Sequence, residues 1–186
     1  MRLAAGGLAV AAVLAGAAGV LLGRSDGSSA GGYGRIPSWL PQAAVPVGRI
    51  VTASAAHPWL AVEGDTVSVR LARGRVLATA VGPAVPEEGA FPVPATSPCT
   101  FVVTFARASG AVPLSAAAFT IVDELGRLHH PRVTLRGGGS MPARLRPGRT
   151  LSLTVRDVLP TGNGRLRWAP GGAAPIVSWD FDVEID

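Results

Sequence analysis

The chain has 186 residues, of which 48% are apolar and 16% charged, with a formal net charge of +5 at pH 7. That apolar share is enough for a hydrophobic core and excludes a charge-dominated disordered chain, while a single cysteine, Cys99, excludes an internal disulfide. Every basic residue is an arginine, and with the Ala, Gly and Pro load this reads as the coding bias of a high-GC genome rather than a functional choice.

The chain opens with Met1-Arg2, followed by twenty residues, Leu3 to Leu22, drawn only from Ala, Gly, Val and Leu. At ~1.5 Å per residue a helix of that length reaches ~30 Å, about one bilayer core. Two descriptions fit it. An uncleaved signal-anchor is favoured because the apolar run continues through Val20-Leu21-Leu22. A removed signal peptide is the alternative, since Arg2 supplies a basic start and both Ala15-Gly16-Ala17 and Ser28-Ser29-Ala30 are small-x-small cleavage sites. No lipobox is present, because Cys99 is far from the N-terminus. Arg2 before the helix, with Arg24 offset by Asp26 after it, weakly favours the N-terminus inside. Residues 23–34 then form a Gly/Ser spacer, and 36–47 a Pro-rich approach in which Pro37 and Pro41 hold Trp39 extended.

From there the hydrophobic period is two, not 3.6. Residues 49–53 and 59–62 are short apolar runs. Val67, Val69 and Leu71 alternate with Ser68 and Arg70, and Ala72-Arg73-Gly74 turns the chain into a strand over 75–81. Five prolines between 82 and 98 predict a loop. Cys99, Phe101, Val103 and Phe105 share one strand face. Strands over 119–123 and 128–135 flank a turn, Glu124-Leu125-Gly126-Arg127. Residues 136–147 read as a loop, Pro147-Gly148 turns into a strand over 150–156, and Thr161-Gly162-Asn163-Gly164 is a turn before a strand over 165–168. In the last strand, Trp179, Phe181, Val183 and Ile185 alternate with Asp180, Asp182, Glu184 and Asp186. A slip of one residue there would bury carboxylates, so the register is pinned. Trp59, Trp168 and Trp179 are expected to pack in the core.

Candidate chemistry fails for geometric reasons. His129 and His130 are adjacent, so on a strand they face opposite sides and cannot chelate together. His57 is remote, and zinc needs three or four such ligands. A copper site around Cys99 would need a nearby histidine, and Met141 lies in an unrelated Gly-rich loop. Cys99 reads as a partly buried strand-start thiol rather than a nucleophile, since no positioned base accompanies it. The carboxylate ladder Asp180, Asp182, Glu184 is straight, whereas calcium needs converging oxygens; pairing with arginines on neighbouring strands is expected instead. From Arg127 to Arg167 nine arginines face one acid, Asp157, yet they are spread over several turns with only Trp168 beside them. Nucleic acid is therefore not expected as a partner, whereas an anionic envelope polymer is a reasonable one.

The order Cys99 to His130, then the run from Leu145 to Leu159 and a closing apolar strand, resembles the telokin-like immunoglobulin-fold domains of secreted Gram-positive, actinobacterial-type proteins. The motifs that carry it are the hairpin Asp123-Glu124-Leu125-Gly126 and the turn Pro147-Gly148-Arg149. The resemblance covers about residues 99–186 and implies a sandwich with no catalytic residues to carry over. The chain departs from the family in its Pro-rich approach and in lacking a lipobox.

Together these features predict an all-β, antiparallel immunoglobulin-like β-sandwich over residues 48–186. It is preceded by a hydrophobic helix over 1–22 and a linker over 23–47. The expected role is an exported, membrane-tethered, non-catalytic module for protein or cell-envelope contact. The membrane is met through Leu3 to Leu22, or the protein is secreted if that segment is cleaved. The rival is a metal-binding or enzymatic sandwich whose site forms only in three dimensions. No catalytic, cofactor-binding or metal-ligating residue is assigned.

Overall fold

The computed structural model describes residues 50–184 apart from 87, 88, 90, 93 and 173. The segment Leu3 to Leu22, the linker, Trp39 and Ile185 lie outside the described residues. Among those described, no helix is long and apolar enough to cross a membrane, and helical structure is confined to a single 3-10 turn, Ala116–Ala118.

Two sheets form the domain. One has the order β1 (Val51–Ser54), β3 (Thr66–Leu71), β4 (Gly74–Ala84), β5 (Thr96–Gly110), β11 (Leu151–Pro160) and β9 (Arg132–Leu135). The other has the order β2 (Trp59–Val62), β13 (Val177–Val183), β12 (Gly162–Trp168), β7 (Phe119–Asp123) and β8 (Leu128–His129). A small ribbon pairs β10 (Arg144–Leu145) with β6 (Val112–Pro113).

The alternation seen in the sequence decides which face each strand buries. Cys99, Phe101, Val103 and Phe105 on β5 meet Leu166, Trp168, Trp179 and Phe181 of the opposite sheet, all buried. Aromatic contacts cross the gap: Phe101 meets Phe181 edge-on at 4.7 Å between centroids, and Phe105 meets Trp168 at 4.7 Å. Burying each such side chain stabilises the fold by ~1.5–3 kcal/mol, and the ring pairs add to that. Among the described residues, the buried apolar side chains, from Ala53 to Val183, form one cluster. Pro46–Asp186 is a compact unit that carries this core.

The structure corrects the sequence expectation at five places. The sheets are mixed rather than antiparallel, because β1 runs parallel to β3 and β2 parallel to β13. The chain leaves the first sheet after β1, pairs in the second as β2 and returns as β3; two reversals bring it back parallel to the strand it left. The expected strand over 128–135 is split at the buried Pro131: β8 pairs with β7 in one sheet and β9 with β11 in the other. The Pro-rich loop is shorter than expected. Pro98 lies inside β5, where β11 is its only strand partner among the described residues, since β4 pairs with β5 only from Thr100 onward.

The expected turn over 161–164 is mostly strand. Gly162, Asn163 and Gly164 pair with Val183, Asp182 and Phe181. Gly164 is there because the Phe181 ring lies where a Cβ would stand. Finally, Trp59 is 44% exposed on an edge strand rather than in the core.

Candidate functional site: an arginine-rich end of the sandwich

Strand direction gathers arginines that are far apart in sequence. β3 runs toward Leu71 and turns through Ala72-Arg73 into β4 at Gly74, which pairs with Gly110 at the end of β5. β11 begins at the same end, with Leu151 opposite Phe105. The β6–β10 ribbon lies beyond it, because Leu114 N–H donates to the Ala143 carbonyl at 2.9 Å. The loop after β10 folds back, since Gly148 N–H donates to the Ala108 carbonyl at 2.9 Å. One end therefore carries Arg70, Arg73, Arg75, Arg107, Arg144, Arg146 and Arg149.

Among the described residues, none of these arginines has a carboxylate within ion-pair distance. The acids lie elsewhere. Glu63 reaches Gly82 N–H at the far end of β4, and Asp65 stands at the opposite end of β3 from Leu71. Asp123, Glu124, Asp157, Asp180, Asp182 and Glu184 sit at mid-strand or toward that far end. The described residues are thus electrostatically polar along the strands, and among them no carboxylate neutralises the basic end.

Arg107 has a local cause for its placement. Between Leu77↔Ala106 and Arg75↔Ser109 β4 has one residue and β5 has two, so β5 bulges. Arg107 takes φ 51°, a left-handed conformation that costs a non-glycine residue ~1 kcal/mol. Arg75 and Arg107, with Thr52, Ser68 and Leu77, line a shallow depression of about 320 Å³ on the outer sheet face.

A second polar cluster has a different character. Asp123 ends β7, and its side chain is only 3% exposed. Its Oδ1 accepts from the backbone N–H groups of Leu125 and Arg127 at 3.0 and 2.9 Å, while Oδ2 takes Arg127 Nε at 2.6 Å and lies 3.1 Å from His129 Nε2. Burial raises this carboxyl, but the bonds from His129 and Arg127 and the Arg127 charge outweigh it and hold the carboxyl well below the usual carboxylate range. Both carboxylate oxygens are thus engaged within the hairpin, and the cluster locks the β7–β8 turn.

The residues singled out from the sequence fall apart in space. Cys99 is buried at the start of β5, its Sγ 3.4 Å from the Ser97 carbonyl. His57 is exposed in the turn after β1, His129 faces Asp123, and the adjacent His130 is exposed. Met141 packs partly against the core. Asp180 faces outward and pairs with Arg165 directly across the ladder, Oδ1 to Nε 2.9 Å; Asp182 and Glu184 are exposed. Sequence reasoning missed the basic end because its arginines come from three separate segments. The local signal was the turn Arg70-Leu71-Ala72-Arg73-Gly74-Arg75, which carries three cations and no acid.

No protein-family model matches the chain, and no curated protein sequence matches it significantly. A solved structure, that of MPT63, a secreted protein from Mycobacterium tuberculosis, is similar over 68% of this chain and 100% of its own length, with 14% identity and a TM-score of 0.42.

Proposed function

We propose that this protein is an exported, non-catalytic contact module of immunoglobulin type. Leu3 to Leu22 tether it to the membrane, and its arginine-rich end meets an anionic cell-envelope polymer. The observation that carries this reading is the group of arginines at one end of the sandwich that, among the described residues, have no carboxylate partner. Gathering like charges costs folding energy and gives no return inside the domain, and local rules of this kind are broken chiefly where a partner supplies the compensation. The Asp123 cluster, by contrast, is used up in holding a turn. An arginine fork suits phosphate, sulfate or carboxylate groups along a polymer, and many exposed cations give a salt-sensitive attachment.

Retention of the full chain on cell-wall fragments and on dextran sulfate tests the reading. Binding should fall steeply with added salt and be absent on neutral dextran. Reversing charge at Arg75, Arg146 and Arg149 together should weaken it at least tenfold. Retention indifferent to salt and to these substitutions would sink the polymer-contact reading. A membrane pull-down that instead recovers one acidic protein through the same arginines would replace polymer by protein as the partner.

A further inference from the structure

Between the ends of the two sheets, at the arginine-rich end, lies a cavity of about 370 Å³. Its walls come from both sheets and the ribbon: Leu71 at the end of β3, Ala111 and Pro113 around β6, and Pro170 and Ile176 from the connection between β12 and β13. The walls are apolar, and Ile176 is itself buried against the core. The space stays open because much of its lining is small. Ala55, Ala72, Ala111 and Gly171 stand where larger side chains would close the sandwich end. Gly171 lies in a tight turn closed by Gly172 N–H donating to the Ala169 carbonyl at 3.3 Å.

The remaining lining residues are Arg70, Arg73 and Arg144. All three are exposed, and among the described residues none has a carboxylate partner. The site thus joins an apolar cleft, at the lower end of the ~300–1,000 Å³ typical of small-molecule pockets, to a cationic rim. A neutral apolar ligand would leave the rim unused, and an anion alone would leave the cleft unused. Guanidinium forks match a carboxylate two bonds at a time, which fixes such a head at the mouth while the chain fills the cleft. The volume admits one chain of medium length and does not admit a two-chain lipid.

We propose that this cleft binds a single-chain anionic amphiphile, a medium-length acyl chain carrying a carboxylate head, with the chain against Leu71, Pro113 and Ile176 and the head on Arg73 and Arg144. The site requires neither export nor tethering and stands apart from polymer contact, which uses the outward arginines of the same end.

Isothermal titration with decanoate below its micelle concentration tests this, on residues 46–186 once a cooperative thermal melt has shown that this unit folds on its own. Saturable binding at one molecule per chain is expected. The cationic counterpart of the same chain length should not bind, because it meets the arginine rim with like charge. Charge reversal of Arg73 and Arg144 together should weaken decanoate binding at least tenfold. Ala111→Phe, which fills the cleft, should abolish binding while leaving salt-sensitive retention on dextran sulfate unchanged. Each variant is melted first. If Ala111→Phe does not fold cooperatively, the double charge reversal at exposed positions carries the test.

Absence of saturable decanoate binding overturns the inference. So does equal binding of the cationic amphiphile, or binding that no variant alters, since either means non-specific adsorption. Binding only to phosphatidylglycerol vesicles and not to monomeric decanoate also overturns it, in favour of a membrane surface. Absence of salt-sensitive retention of the unsubstituted full chain on dextran sulfate, with decanoate binding intact, would defeat the contact reading and leave this site standing.

Discussion

Arg70 and Arg75 stand directly opposite each other across the β3–β4 ladder, and among the described residues neither has a carboxylate partner. Two like charges at facing positions destabilise a sheet by roughly 0.2–1 kcal/mol relative to neutral neighbours. Arg75→Glu would turn this repulsion into a cross-strand ion pair. It should raise the urea midpoint by a margin corresponding to under ~1 kcal/mol while advancing elution from dextran sulfate to lower salt. A fall in both properties would mean that Arg75 has an internal role that its register position does not reveal.

Asp123 makes the fold acid-sensitive in a defined direction. Its carboxyl is held below the usual range in the folded state, so the unfolded chain binds a proton more readily, and stability rises with pH wherever that difference exists. The contribution is complete above about pH 4, the ordinary carboxylate value, and is lost as pH falls from there through the folded-state value. Asp123→Asn should be less stable than the parent at neutral pH and show a shallower loss between pH 4 and pH 2. Parallel acid limbs for the two proteins, measured by urea unfolding at each pH, would show that Asp123 is not the group responsible.

On β13 the two faces should respond very differently. Phe181→Ala removes a ring that packs on Phe101 and covers Gly164. Truncating a buried aromatic costs ~3–5 kcal/mol, a large part of a typical domain stability. Asp180→Ala breaks only the half-exposed pair with Arg165 and should cost under ~1 kcal/mol. Urea midpoints of the two variants, with and without calcium, check this. Comparable losses would mean that the outward placement of Asp180 is wrong, and a calcium-dependent Asp180 effect would point to a cation on that face.

The two core tryptophans differ in their N–H groups. Trp179 Nε1 donates to the Asp65 carbonyl at 3.2 Å, tying β13 to the start of β3. Trp168 Nε1 is buried without an acceptor among the described residues. Trp179→Phe therefore loses a hydrogen bond that Trp168→Phe does not, and should cost ~1 kcal/mol more. Equal denaturation midpoints would indicate that Trp168 has an acceptor in solution, such as a buried water.

Tethering is tested on the full chain with a C-terminal tag. It should sediment with membranes, resist carbonate extraction and retain Met1-Arg2 by mass. A soluble product beginning near Ala18 or Gly31 would mean that the segment is a signal peptide and the domain is released.

Where one face of a strand is buried and the other wet, the sequence by itself determined the structure. The period-two pattern on β5 and β13 specifies which side chains enter the core, because a slip of one residue would bury the hydroxyls of Thr100 and Thr104 on β5 and carboxylates on β13. The hairpin around Arg73 and the Asp123 turn were legible for the same local reason, since a two-residue connection and a glycine at φ 78° leave few alternatives. Sheet membership was not legible. Nothing local says that Pro131 separates two strands belonging to opposite sheets, or that β1 and β3 end up parallel, because those outcomes depend on which edges remain free once the other strands have paired. The arginine-rich end is the extreme case. Arg73, Arg107 and Arg144 are far apart along the chain, and only the common direction of β3, β5 and the β6–β10 ribbon brings them together. Charge acts through space while sequence orders residues along a line, so only the tertiary structure decided that these cations share one end and the described carboxylates lie away from it.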